Sequence, residues 1–172
     1  MAAHTIPILG FNALPDTTGR AFFEPYTIKA TNDNFGHLIL VLNNPGASEN
    51  HGVYGAFFVP NNYVGTPVIR IHWTSTAITG TCLFAFDYRA VGGNDTESLD
   101  QATFQESIDI ADVAPSATDE LMNITGALTA GNFAAGDLVE FFFYRDGTTG
   151  APTDDLAAAV TVHGIYFEYE DA

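Results

Sequence analysis

The fold class is decided by residues Thr81–Val91, TCLFAFDYRAV. Large apolar side chains recur at every second position of this stretch and share one face. That face carries Cys82, Phe84, Phe86 and Tyr88. Asp87 and Arg89 fall on the opposite face. Because successive side chains of a strand point to opposite sides of a sheet, this period of two predicts a β-strand with one apolar face.

Similar stretches lie on both sides of it. In Pro67–Ser75, Ile69, Ile71 and Trp73 share one face, which is the half-buried antiparallel pattern. The other stretches are Leu38–Leu42, Gly52–Val59, Thr103–Ala111, Glu120–Thr129, Asp137–Arg145 and Ala158–Glu170. Gly126 interrupts one of them and predicts a β-bulge. About eight strands separated by Gly, Pro, Asn and Asp turns predict an all-β protein, an antiparallel β-sandwich or barrel.

Residues 1–36 differ from residues 37–172, which hold the predicted sandwich domain. Pro7, Pro15 and Pro25 stiffen the segment, yet it carries more large apolar side chains than a solvated tail would. We expect either an edge strand wrapped on the same domain or an extended arm that packs on a neighbouring subunit. The interface candidates are Ile6, Ile8, Leu9, Phe11, Phe22, Phe23 and Tyr26.

Composition excludes several classes of protein. The 172 residues carry 21 acidic and 5 basic side chains, a formal net charge of -16, which repels nucleic acid and anionic membranes. Hydrophobic residues make up 47% of the chain and argue against disorder. Charged residues make up only 15%, against roughly 25% in an average domain. We therefore expect a folded protein with no nucleic-acid or membrane partner and with apolar surfaces for self-association.

Signatures of catalysis are missing from the sequence. It contains no nucleophile elbow, phosphate loop, dinucleotide fingerprint or zinc spacing. Cys82 lies on an aromatic strand face with no basic neighbour, which predicts a core thiol. The histidines are scattered without ligand spacing; they are His4, His37, His51, His72 and His163. We expect no enzyme activity, no cofactor and no metal, with a calcium site at Asn94–Glu97 and Asp100 as an open alternative.

Aromatic residues are more numerous than one core easily needs, with 14 Phe, 7 Tyr and one Trp. Most of them are expected in the core, and a surplus can form a subunit interface. Some could instead make a flat platform that stacks on sugar rings. The candidates for that platform are Tyr54, Tyr63 and Trp73.

Four stretches together resemble the β-sandwich virion proteins of tailed bacteriophages. They are Thr66–Trp73, Phe86–Val91, Ala130–Asp137 and Gly164–Tyr169. The resemblance spans roughly residues 60–170, and its motifs are strand-and-turn patterns that bring no catalytic residues with them. It implies a jelly-roll fold of the class that includes capsid cement, or decoration, proteins and some tail appendages.

The resemblance implies a function in binding. A capsid cement protein sits on the outer surface of the virion shell, contacts the major capsid protein and often forms a homotrimer. We expect that function first. The alternative is a tail- or fibre-associated receptor- or carbohydrate-binding module that uses the platform aromatics, and a third interpretation is a lectin-like domain of cellular origin.

Overall fold

The computed structural model describes residues 2–8, 14–15, 21–25, 37–46, 49–93 and 96–171. These residues form eleven β-strands and one short 3-10 turn at Ala130–Asn132. The strands are β1 (Ala3–Pro7), β2 (Leu14–Pro15), β3 (Ala21–Pro25), β4 (Leu38–Leu42), β5 (Asn50–Phe58), β6 (Tyr63–Ser75), β7 (Thr81–Val91), β8 (Glu106–Val113), β9 (Met122–Ala127), β10 (Leu138–Asp146) and β11 (Val160–Asp171).

The strands make two antiparallel sheets. The first sheet has the order β3-β4-β11-β6-β9, with β1 paired to the second half of β11. The second sheet has the order β2-β5-β10-β7-β8. The predicted antiparallel β-sandwich is confirmed, and eight strands, β4 to β11, lie within residues 37–172. No helix in the described ranges is long and apolar enough to cross a membrane.

Aromatic side chains fill the space between the sheets. Trp73 of β6 meets Phe84 of β7 edge-on, with ring centroids 5.6 Å apart. Phe84 stacks on Phe143 of β10 at 5.6 Å, and Phe86 stacks on Phe141 at 5.2 Å. All five side chains are buried, and the period-two pattern of β6 and β7 predicted this for Trp73, Phe84 and Phe86. Burial of one such side chain contributes about 1.5–3 kcal/mol to stability.

Gly126 marks a close approach of the two sheets, and the predicted bulge at this position is wrong. The register between β6 and β9 runs without interruption past the Ile69–Gly126 pair. A Cβ atom at Gly126 would lie 2.5 Å from Cδ1 of Ile110 on the facing sheet. A larger residue at this position would therefore force the Ile110 side chain to move.

The described parts of residues 1–36 pair with strands of the same chain. β1 pairs with β11, β2 with β5 and β3 with β4. Ile8 is 4% exposed in the core, so it cannot serve as an interface residue on a neighbouring subunit. Ile6 and Phe23 pack partly buried against that core, and Phe22 is half-buried. Leu9, Phe11 and Tyr26 lie outside the described residues.

One ion pair lies in the interior of the sandwich. Arg145 of β10 is fully buried and faces Asp154, whose side chain is 1% exposed. Nε and Nη2 of Arg145 each donate to a carboxylate oxygen of Asp154 at 2.7 Å. The remaining donors reach the carbonyl oxygens of Leu156 and Ala158. Arg145 therefore ties the chain between β10 and β11 to the second sheet.

Candidate functional site

The outer face of the second sheet carries aromatic and charged side chains. Along β10, the residues between the core positions point away from the first sheet. The register places Tyr54 of β5 and Asp87 of β7 on either side of Phe142. Two residues before Phe142 on β10, Glu140 lies opposite Arg89 of β7. Two neighbouring rows of this face therefore combine rings with hydrogen-bonding groups.

Three rings on this face form a stacked series. Tyr54 stacks on Phe142 with centroids 4.3 Å apart, and Phe142 stacks on Tyr144 at 4.6 Å. Tyr144 is buried, Phe142 is half-buried and Tyr54 is 52% exposed. The series therefore starts inside the protein and ends in solvent, which fixes the orientation of the exposed Tyr54 ring.

A groove of about 210 Å³ runs beside the stacked rings. We call it the outer-face groove. Its lining residues are Tyr54, Arg89, Leu99, Gln101, Thr103, Phe104, Glu140, Phe141 and Phe142. Leu99 and Phe104, from the connection between β7 and β8, are each more than half exposed. Apolar rings with a few polar groups among them are typical of small-ligand sites.

A second depression continues the groove along the same face. It measures about 320 Å³ and shares Leu99 with the outer-face groove. Phe58 and Leu138 line it, and Phe58 is 67% exposed. Phe58 pairs with Leu138 at the end of β5 and β10. The two depressions therefore meet at Leu99, and each is lined in part by aromatic side chains.

Carboxylates and hydroxyls brace the buried end of the ring series. Asp87 is 5% exposed and accepts hydrogen bonds from Ser107 and Tyr144. Burial raises the pKa of Asp87 above its usual value, and burial also raises the pKa of Tyr144. Burial and the nearby charges of Asp146 and Asp87 raise the pKa of Asp109. The hydrogen bond to Asp87 holds the Tyr144 hydroxyl in place, and Asp87 is not among the residues that line the groove.

A second cluster of polar residues lies on the outer face of the first sheet. Nε2 of His37 is 2.8 Å from Nδ1 of His163, and Nε2 of His163 is 3.1 Å from Oγ1 of Thr74. His72 meets the Tyr166 ring edge-on at 5.4 Å. A depression of about 350 Å³ includes these residues together with Asp119 and Leu121. The structure thus brings together three histidines that the sequence analysis treated as scattered.

This histidine cluster has no arrangement suited to a metal ion. Within the described ranges, no group of three or more His, Cys, Asp or Glu residues could hold one. Burial, together with the smaller effects of the neighbouring His37 and His72, lowers the pKa of His163 from 6.5 to about 4. Its ring is therefore neutral at pH 7 and acts as a hydrogen-bonding group.

We expect His163 to make the protein less stable in mild acid. The unfolded chain binds a proton near pH 6.5 and the folded chain only near pH 4, so stability present above pH 6.5 falls as the pH drops between these values. Allowing for solvent screening of this half-buried ring, the loss is about 1–2 kcal/mol. Urea unfolding at pH 7 and pH 4.5 would measure it. Between pH 7 and pH 4.5, the free energy of unfolding of His163→Gln should fall by about 1–2 kcal/mol less than that of the wild type, because glutamine does not titrate. Equal falls in the two proteins would contradict the prediction.

The structure separates the three platform candidates. Tyr54 lines the outer-face groove, as the platform hypothesis requires. Tyr63 packs on Phe133 and Phe167 and donates to the carbonyl oxygen of Ala130, so it supports the core and lies outside the groove. Trp73 is fully buried, and this candidate is wrong because neither face of its ring is open to a sugar.

Sequence reasoning missed most of the groove. Phe142 and Tyr144 fall on the strand face opposite Phe141 and Phe143, and aromatic residues on both faces of one strand were the available signal. The missed lining residues from the β7–β8 connection, Leu99, Gln101, Thr103 and Phe104, carry no motif.

The calcium alternative gains no support from the described residues. Glu97 of that acidic loop pairs with Arg89, with Oε1 3.2 Å from Nη2. Asn94 and Asp95 lie outside the described residues. Cys82 is fully buried and burial raises the pKa of its thiol, as predicted for a core residue.

Comparisons with solved structures identify the fold. The second CBM22 xylan-binding domain of Paenibacillus barcinonensis Xyn10C aligns over 97% of this chain and 99% of its own, with a TM-score of 0.51 and 10% identity. The CBM35 module of Cellvibrio japonicus Abf62 aligns over 99% of this chain and 95% of its own, with a TM-score of 0.50 and 8% identity. The fold is a jelly-roll β-sandwich.

A phage protein is also among the similar structures. The enzymatically active domain of tailspike protein 4 of bacteriophage CBA120 aligns over 91% of this chain with a TM-score of 0.46 and 13% identity. This chain spans 19% of the length of that one. No family model and no curated protein matches the sequence.

Proposed function

We propose that this jelly-roll β-sandwich is a carbohydrate-binding module that holds a saccharide chain in the outer-face groove. The observation that carries the proposal is the exposed Tyr54 ring, oriented by its stack on Phe142, beside the polar side chains of Arg89, Gln101 and Glu140. A flat apolar ring face covers the C–H face of a sugar, and the polar groups bond to its hydroxyls. One site with both features fits a saccharide better than it fits an apolar ligand.

The similar structures support the same class of ligand. The Paenibacillus barcinonensis domain, which shares this fold over nearly its whole length, is a xylan-binding domain. We place the saccharide chain across the two depressions that meet at Leu99. We propose that the module acts by binding and leaves the glycosidic bond intact.

Attachment to a virion stays a prediction from the sequence resemblance. The same holds for a homotrimer, for contact with a major capsid protein and for a position on the outer capsid surface. A carbohydrate-binding module on a phage tail or fibre would be compatible with the groove, and we propose the glycan-binding part of that alternative.

Affinity electrophoresis through gels that contain single polysaccharides tests the proposal. We expect retention by at least one soluble polysaccharide, and Tyr54→Ala should weaken it by at least about tenfold, the usual cost of removing an aromatic anchor. Tyr166→Ala, in the histidine cluster, is the matched control and should bind as the wild type does. Retention that survives Tyr54→Ala and is lost in Tyr166→Ala would place the ligand elsewhere and contradict the proposed site.

Two further measurements complete this test. Circular dichroism establishes that both variants are folded. The size of the bound polysaccharide, measured by gel filtration after long incubation, should stay unchanged, and a fall in size would show that the protein is an enzyme.

A further inference from the structure

Arg89 differs from the other arginines whose surroundings are described. Arg145 donates hydrogen bonds to Asp154 and to two backbone carbonyl oxygens. Arg70 donates hydrogen bonds to Glu168 and Asn123. Among the described residues, Arg89 makes a single hydrogen bond, from Nη2 to the exposed Glu97. Its Nε is buried without a partner. The fold therefore leaves part of the hydrogen-bonding capacity of Arg89 unused, unlike that of Arg145 and Arg70.

The unused donors of Arg89 belong to a side chain in the ligand site. The Arg89 side chain lines the outer-face groove and is 20% exposed, so its accessible part faces any molecule bound there. A guanidinium group has five N–H donors and no acceptor, so its ligand must supply oxygen acceptors. Both a hydroxyl group and a carboxylate or sulfate group could do so.

The charges around Arg89 decide between these acceptors. Glu97 forms an ion pair with Arg89, and Glu140 lies directly opposite it on β10 and lines the same groove. Two carboxylates therefore face one cation, within a protein whose net charge is -16. An anionic group on the ligand would be repelled, whereas a neutral hydroxyl can accept from Arg89 and donate to Glu140.

We propose that the outer-face groove selects neutral saccharides over saccharides that carry carboxylate or sulfate groups, with Arg89 and Glu140 as the specificity-determining pair. This inference rests on the proposed function and adds the class of saccharide. Arg89 donates to a sugar oxygen, Glu140 accepts from a sugar hydroxyl, and Glu97 compensates the charge that would otherwise attract an anion.

The test compares one polysaccharide with its own charged derivative. The neutral polysaccharide that retains the protein most strongly is chosen, and part of it is converted to its carboxymethyl derivative. Both forms are then used in affinity gels at low salt. We expect the wild type to bind the neutral form at least about tenfold more tightly. Added salt should narrow the difference, because it screens exposed charges.

Removing the carboxylates of Glu97 and Glu140 tests directly whether they cause the preference for the neutral form. Glu97 and Glu140 are exposed, so Glu97→Gln/Glu140→Gln should fold normally. This double variant should reduce the preference for the neutral form by at least about tenfold, because Arg89 then has no compensating charge. Glu168→Gln, which removes a carboxylate on the other sheet, should leave the preference unchanged.

The outcomes separate this inference from the proposed function. Tighter binding of the carboxymethylated form by the wild type, or an unchanged preference in the double variant, overturns the selectivity while leaving carbohydrate binding intact. Failure of every polysaccharide to retain the wild type overturns the proposed function and the selectivity together.

Discussion

Asp154→Asn should lower the free energy of unfolding by about 3–5 kcal/mol, because it leaves the guanidinium of Arg145 buried without a compensating charge. Both partners are inaccessible to solvent, and the carboxylate accepts two bonds from Arg145 at 2.7 Å as well as one from the backbone N–H of Leu83 at 3.1 Å. Asparagine has nearly the same shape, so the loss comes from charge and hydrogen bonding and not from packing. Urea unfolding followed by circular dichroism measures the change.

The partly exposed pair Arg70–Glu168 offers a matched control for this experiment. Arg70 also donates one hydrogen bond to each carboxylate oxygen of Glu168, but the side chains of Arg70 and Glu168 are 30% and 23% exposed. Solvent screens such a pair, so Glu168→Gln should cost no more than about 1 kcal/mol. If the two variants lost similar stability, burial would not be the reason for the effect of Asp154→Asn.

Trp73→Ala is the second substitution with a large expected effect, a loss of about 3–5 kcal/mol in the free energy of unfolding. The side chain is fully buried against Phe84, and Nε1 donates to Oδ2 of Asp112 at 3.0 Å. Truncation leaves a cavity between the sheets and removes this hydrogen bond. Because Trp73 is the only tryptophan, circular dichroism is again the appropriate measurement.

Two comparisons divide the Trp73 effect into its parts. Trp73→Phe keeps most of the ring volume and leaves Asp112 without its donor, so it should cost about 1–3 kcal/mol. Phe104→Ala removes an aromatic ring that is 56% exposed and should change stability by no more than about 0.5 kcal/mol. A small loss in Trp73→Ala would contradict the placement of this ring in the core.

The strands could be predicted from the sequence because their signal is local. In β6 and β7 every second residue is large and apolar, and these residues are buried in the structure: Ile69, Ile71, Trp73, Phe84 and Phe86. Alternation of this kind depends only on the geometry of one strand. It therefore predicted the all-β class and the core, and the choice of Trp73 as a sugar platform did not take this alternation into account.

The groove could not be predicted in the same way. β10 has aromatic residues on both faces, so its pattern does not tell which face meets the other sheet. Phe142 contacts Tyr54 of β5, and Arg89 faces Glu140, only because β10 lies between β5 and β7. Leu99 and Phe104 join them from a connection that has no motif.

The sequence by itself therefore determined an acidic all-β protein with an aromatic core, since charge and strand periodicity are properties of neighbouring residues. The tertiary structure decided which aromatic residues face solvent and which polar groups meet. Tyr54 and Phe142 are 88 positions apart in the chain, and His37 and His163 are 126 apart. Only the order of strands in the sheets brings such residues into contact, because strand pairing joins segments regardless of their distance in sequence.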